Sequence, residues 1–299
     1  MLETPWGELA VSDAHVHFFS YKFLQLLTGR DPVEVAAQLG WEAPAAEPEA
    51  LAARWVNELK RNHVTRAAII ASLPGDESSV AAAVAAHPAR FHGCFLFNPL
   101  APDPVERLKT AFASGLRTVC LFPSMHRFSL AAKELDPVYE AAAAQSGAVL
   151  FAHCGVLSVG IREKLDLPSQ FDMRFSNPID LHPAALRHPN LKFQIPHFGA
   201  GYFREALIVA GLCPNVYLDT SSSNSWMKYE ALDLETVFRR TLKAIGPERI
   251  VFGTDSSFFP RGWHKAIFDK QVEALAAIGI SAEDANRIFN SNFEKLTAA

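Results

Sequence analysis

Hydrophobic positions along this chain fall into two alternating rhythms. Short apolar runs are followed by longer stretches with helical spacing, and the alternation repeats from end to end. The short runs predict strands at Leu9–Ser12, Arg66–Ala71, Phe91–Phe97, Arg117–Phe122, Ala148–Ala152, Leu191–Ile195, Val216–Leu218 and Arg249–Phe252. The longer stretches predict helices at Pro48–Arg61, Ser78–His87, Pro104–Ser114, Pro137–Gln145, Phe203–Leu212, Leu234–Ile245 and Arg261–Ala277. Asp103-Pro104 and Asp136-Pro137 read as an N-cap followed by a first-turn proline. The strands are apolar throughout rather than alternating, the pattern of strands covered on both faces. Repeated strand–helix units of this kind predict an α/β fold, a single (β/α)8 barrel, with residues 1–299 as one domain. A doubly wound sheet would call for a glycine-rich first turn, and here that turn reads Asp13-Ala-His-Val-His.

The first β-to-α connection is enlarged. It carries Phe18, Phe19, Tyr21, Phe23 and Trp41, and its Ala43–Pro48 stretch reads as a loop, not as a linker between domains. Aromatics concentrated there predict part of a lid over the barrel mouth. At the other end, Ser281 to Leu296 reads as two short helices, the first capped by Ser281.

Composition narrows the class. Of 299 residues, 49% are hydrophobic and 20% charged, with a formal net charge of -4. Without a basic run or a Lys/Arg stripe, nucleic acid is not expected as a partner. Cys94, Cys120, Cys154 and Cys213 are scattered without metal or disulfide spacing, which suits a reducing cytoplasm. The N-terminus lacks the basic and apolar regions of a signal peptide, and the apolar stretch Ala141 to Leu157 is too interrupted to span a membrane. A cytoplasmic enzyme acting on a small molecule, possible as a homodimer, is the expectation.

The chemistry lies at the strand ends. His15-Val-His17 follows the first run, and residues two apart on an extended chain point to one side, so both imidazoles can converge on one ion. His153 ends the fifth run, His197 the sixth and Asp255 the eighth. In a parallel barrel those ends open at one face, where active sites are built. His63, His87, His92, His182, His188 and His264 read as surface or capping histidines. Cys120, in the fourth run, is either a soft ligand or a small buried core residue, and burial is the commoner fate of a free cysteine.

Taken in order, Asp13-Ala-His15-Val-His17-Phe, His153, His197-Phe-Gly and Phe-Gly-Thr-Asp255 resemble the amidohydrolase superfamily, in its branch of decarboxylases and lactone and amide hydrolases. The resemblance covers nearly the whole chain. It implies His15, His17, His153 and Asp255 as metal ligands, with His197 beside the reacting water or substrate. The binuclear members carry a lysine late in the fourth strand, where this chain has Cys120, so one divalent ion is implied, zinc first and manganese, iron or cobalt as other occupants.

Such an ion lowers the pKa of water to about 7, Asp255 is suited to take up the proton, and His197 to polarise a carbonyl. For substrate the loops offer His126, Arg127, Arg261 and Trp226, together with the serines Ser221, Ser222 and Ser223. Guanidinium groups match a carboxylate bidentately, so a small cyclic or aromatic acid is expected. The leading expectation is metal-dependent hydrolysis of an amide, lactone or ester-like bond. Non-oxidative decarboxylation, a metal-independent hydrolase and a non-catalytic barrel are the alternatives. An active-site mouth closed by acidic residues would count against the acid substrate.

Overall fold

The computed structural model describes residues 1–221 and 224–298, so Ser222 and Ser223, named above as loop candidates, lie outside the described residues. A short antiparallel pair, β1 (Leu2–Thr4) and β2 (Gly7–Leu9), precedes eight parallel strands. These are β3 (Val11–His17), β4 (Val64–Ala71), β5 (Phe91–Phe97), β6 (Thr118–Leu121), β7 (Val149–Ala152), β8 (Lys192–Ile195), β9 (Val216–Asp219) and β10 (Ile250–Val251). They pair in sequence order. Closure comes where the chain leaves β10: Ala14 N–H donates to Phe252 O, Asp255 N–H to His15 O and His17 N–H to Ser256 O, at 2.7–2.9 Å. The result is a (β/α)8 barrel.

Two cores follow from strand geometry. Alternate residues such as Ala68, Ile70, Cys94, Leu96, Cys120, Phe122, Val149 and Phe151 form one cluster that fills the barrel interior. Their neighbours, including Ile69, Phe95, Val119, Leu121 and Phe193, join the helices in a larger outer core. Cys120 therefore takes the bland role weighed above. Burial raises its thiol well above the ordinary range, so it is a neutral packing residue. His92 is not a surface residue as expected. It is buried, with Nε2 2.8 Å from Thr118 Oγ1, and burial lowers it to about 3.

The C-terminal helix Asn292–Thr297 closes the far end of the barrel by sending Phe293 and Leu296 into the interior cluster. Lys192, at the start of β8, donates to the carbonyls of Lys295 and Leu296 and holds that helix by its C-terminus.

The expected first strand was misplaced. Leu9 ends β2, and β3 continues to His17, so His15 and His17 lie within a strand rather than after one. Ser12, Asp13 and His15 interrupt the apolar run by which the strand was to be recognised, yet all three are buried. Asp136 lies inside its helix, Asp136–Ala143, rather than capping it.

The first connection contains two helices that the apolar pattern did not reveal, Tyr21–Thr28 and Pro32–Leu39. Ser20 caps the first by accepting from Phe23 N–H, and Asp31 caps the second, with Pro32 in its first turn. Their Phe23, Leu24, Val35 and Ala36 pack with Ile161 and Leu165 into a separate small core. Buried Asp76 ties this unit to the barrel: Ser20 Oγ donates to its carboxylate at 2.8 Å and Ser79 Oγ at 2.6 Å. Among the described residues no helix is long and apolar enough to cross a membrane.

Burial raises the Asp76 carboxyl from 3.8 to about 6, against the opposing pull of the Ser79 and Ser20 hydroxyls. A folded-state value above the unfolded one favours folding in acid, and that contribution is lost as pH rises through about 6. Asp76→Asn removes the titration. Urea unfolding between pH 4 and 8 is expected to show the variant gaining on the wild type as pH rises to about 7, then holding a constant difference. A difference flat across the whole range refutes the buried-acid assignment.

Candidate metal centre

At the C-terminal mouth of the barrel the strand ends bring His15, His17 and Asp255 together. A backbone irregularity in β3 makes this possible. Its pairing with β4 shifts register between Asp13 and Val16, and Ala14 and Val16, two residues apart, pack into opposite cores. His15 Nε2 lies 3.8 Å and His17 Nε2 3.2 Å from Asp255 Oδ1. Asp255 reaches this position with φ 60, a left-handed conformation that a non-glycine residue adopts at a cost. The Asp255 N–H to His15 carbonyl bond that closes the barrel holds it there.

Hydrogen bonds fix how each imidazole faces the centre. His15 Nδ1 is 2.9 Å from Asp219 Oδ2, and a carboxylate only accepts, so Nδ1 carries a proton and Nε2 is the nitrogen left for a cation. His17 Nδ1 is 2.7 Å from Ser72 Oγ, whose own proton goes to Ile70 O, so this nitrogen also donates. His197 Nδ1 donates to the Ser221 carbonyl at 3.0 Å. All three imidazoles therefore commit Nδ1 as the donor. The donor nitrogen of His197 is thereby committed to the backbone. Burial, then the neighbouring His15, lower its pKa, so it stays a neutral acceptor.

The donor set suits a cation. His15 Nε2 is buried without a hydrogen-bond partner. Two ligands about 2.1 Å from a tetrahedral ion are about 3.4 Å apart, and the separations of 3.8 and 3.2 Å bracket that value. Burial works against ionisation of His15, and Asp219, Asp255 and Asp13 outweigh it, holding the imidazole at about 9. Burial likewise opposes ionisation of Asp255, and His17, His15 and His197 overcome it, keeping the carboxylate ionised well below its usual range. A carboxylate held ionised is ready to ligate metal, and the proton kept on His15 Nε2 is the one a bound cation would displace.

His153 stands one ring away. It is buried, stacks on Phe122 at 4.9 Å and meets His197 at 5.2 Å. It is not part of the His15–His17–Asp255 cluster among the described residues. Burial, then the adjacent His197 and His15, hold its pKa well below the ordinary value, and its Nδ1 is buried without a partner. A second cluster, His15, His197 and Asp219, surrounds the Ser221 hydroxyl, which sits 2.9 Å from His15 Nδ1 and 3.0 Å from His197 Nδ1. Those nitrogens are already bonded, so this cluster is a hydrogen-bond mesh.

Buried Asp13 braces the centre from below, accepting from Thr254 Oγ1 at 2.5 Å, Trp263 Nε1 at 2.8 Å and His15 N–H at 3.0 Å. Gly253 admits the close approach. A Cβ there would lie 3.0 Å from the Cβ atoms of both His15 and Ser221. Asp219, Ser72 and Ser221 were not singled out as partners of these imidazoles in the sequence. Asp219 does end an apolar run, the same position that marked His153 and Asp255.

A cavity of about 320 Å³ opens above the centre, with His17, His153, His197 and Asp255 in its floor. One wall is a stack of rings: Phe23 on Phe19 at 4.3 Å, Phe19 on Trp41 at 5.8 Å and Trp41 on Phe258 at 4.2 Å. Arg261 ends the stack, its guanidinium 4.5 Å from the Phe258 ring centre and bonded to Ser257 Oγ. Arg162 and Lys164 also line the cavity, while Asp255 is the one carboxylate among the described lining residues. Buried Trp226 lines it and packs on Phe203. His126 and Arg127 do not line it. Arg127 is exposed and donates to the Gln170 carbonyl, and that segment contributes Phe122 and Met125 to the wall instead.

A family model described as amidohydrolase matches residues 12–296. The protein fluG of Emericella nidulans is 33% identical over 85 residues, a stretch that is 28% of this chain and 10% of that protein. An uncharacterized TIM-barrel protein from Bordetella bronchiseptica superposes with TM-score 0.67 at 20% identity, covering 96% of this chain and 98% of that one. A probable 2-pyrone-4,6-dicarboxylic acid hydrolase from Acinetobacter baumannii, with citric acid bound, superposes with TM-score 0.60 at 15% identity, covering 97% and 99%. At such identities the structural likenesses bear on the fold.

The ring wall yields a stability expectation. Trp41→Ala removes two stacked contacts, each worth about 1 kcal/mol beyond burial, and is expected to lower stability by about 2–4 kcal/mol. Urea denaturation with an unchanged m-value measures it. A loss under about 0.5 kcal/mol means the wall is not held by stacking.

Proposed function

This chain belongs to the amidohydrolase family, and from that premise we propose that it is a metal-dependent hydrolase cleaving an amide, lactone or ester-like bond of a small, cyclic or aromatic acid. The observation that carries the reading is the convergence of two Nε2 atoms on one ionised carboxylate, beneath a cavity rich in cations. His15, His17 and Asp255 would hold one divalent ion, with His153 as the fourth ligand and zinc as the occupant best suited to imidazole and carboxylate donors. When bound, such an ion supplies Lewis acidity, polarising a carbonyl and making water ionisable near neutral pH.

The chain's own groups account for the rest. His197, neutral and with Nε2 free to accept, takes a proton from the attacking water. Asp255, held ionised by the surrounding histidines, would take up the second proton of that water and hand it to the leaving group. Arg261 is positioned by Phe258 and Ser257 to meet a substrate carboxylate, and Arg162 and Lys164 extend the positive field of the cavity. A mouth closed by acids would oppose this substrate class, and the lining acid is Asp255 itself. The flat ring wall suits a cyclic or planar body. Citric acid in the Acinetobacter structure is in keeping with an anionic ligand in this family of barrels.

Elemental analysis of protein purified without added metal is expected to give one equivalent of a zinc-class ion. His15→Asn and His17→Asn should lose it. His197→Asn should keep it while kcat falls about 10²–10⁴-fold. Loss of about half the metal in His197→Asn would overturn the single-ion assignment. A panel of lactones and amides of cyclic and aromatic acids, run beside hydroxybenzoates with carbon dioxide monitored, tests the reaction. Carbon dioxide release without hydrolysis would replace the proposal with carboxy-lyase chemistry.

A further inference from the structure

We infer that Asp219 is a positioning residue that makes Nδ1 the donor nitrogen of both His15 and His197, one through its side chain and the other through the backbone of Ser221. This deepens the metal-centre reading and rests on it for the link to metal affinity. Asp219 ends β9 and is fully buried. Its two oxygens divide the work. Oδ2 accepts from His15 Nδ1–H at 2.9 Å and from Gln194 Nε2–H at 2.8 Å. Oδ1 accepts from the Ser221 N–H at 2.6 Å. That bond holds the turn whose carbonyl accepts from His197 Nδ1–H at 3.0 Å and whose hydroxyl lies between both imidazoles.

The carboxylate therefore acts on the two sides of the centre at once. Toward His15 it is a direct acceptor, which leaves Nε2 as the nitrogen open to a cation. Toward His197 it acts at one remove by fixing Ser221, which leaves Nε2 bare for a proton. An imidazole bonded to a carboxylate through its far nitrogen is held in orientation and made a better donor to metal, and losing such a partner typically weakens metal binding 10–100-fold. Gln194 completes the assembly from β8 by occupying a second lone pair of Oδ2 and preventing the carboxylate from turning. Close packing leaves no slack, because Gly253 already places its α-carbon where a methyl group would press on His15, Ser221 and Asp219.

The test uses the full chain, metal-free and labelled with 15N in histidine, with signals assigned by single His→Gln variants. In the wild type, two-bond 1H–15N correlations should report a proton on Nδ1 of both His15 and His197. Asp219→Asn, close in shape, should change both signals, and competition with a zinc chelator should show the zinc dissociation constant rising about 10–100-fold. Gln194→Leu leaves the carboxylate in place and should produce a smaller change in the same two signals. Should Asp219→Asn fail to fold by circular dichroism, Gln194→Leu decides in its stead. If His197 keeps its wild-type signature while His15 changes, Asp219 acts on one imidazole and the inference falls. If the wild type shows both Nδ1 protons and binds no zinc, the metal reading fails while the positioning role stands.

Discussion

Closure of the barrel is the constraint from which the rest of the molecule follows. β3 and the segment after β10 meet through three backbone hydrogen bonds, and one of them, Asp255 N–H to the His15 carbonyl, joins two residues of the candidate centre. The bonds that complete the sheet thus also bring an eighth-strand carboxylate beside the first-strand imidazoles. Asp13 adds a side-chain clamp across the same seam through Thr254 and Trp263. Burial raises the Asp13 carboxyl to about 6 in spite of those bonds. A buried carboxylate is retained here because it has partners on both sides of the closure.

The centre concentrates opposite charge in a small volume. Asp13, Asp219 and Asp255 surround His15, and each pair offsets part of the cost of taking its members out of water. A carboxylate, a serine hydroxyl and a backbone carbonyl hold the Nδ1 atoms of His15, His17 and His197. Such partners fix ring orientation before any ligand arrives, which is the preorganisation that both metal binding and proton transfer require. Left-handed backbone at His197 and Asp255 marks where folding free energy is given up to aim these side chains.

Above the centre the wall is assembled from the longest connection. Two helices, a private apolar core and the Ser20–Asp76 bond fasten that connection to the barrel. Phe19, Trp41 and Phe258 can therefore stack as a fixed surface. Arginine at the end of a ring stack is both held in place and left with donors to spare, and Arg162, Lys164 and Arg261 line the cavity with Asp255 as the one carboxylate among the described lining residues.

The sequence alone determined the barrel, because strands buried on both faces are apolar throughout and recur with helices between them. It also marked His15, His17, His153, His197 and Asp255, since each follows or interrupts such a run at the end that opens to the mouth. It did not reveal β3 in full, because Ser12, Asp13 and His15 are polar residues buried by partners distant in sequence. The helices Tyr21–Thr28 and Pro32–Leu39 were hidden for a related reason, their apolar faces serving a separate small core. Only tertiary structure decided that Asp219 stands behind His15, that Arg261 and not Arg127 lines the cavity, and which nitrogen of each histidine is free. Those facts depend on contacts between residues up to 204 positions apart, and local pattern carries no record of a partner that distant.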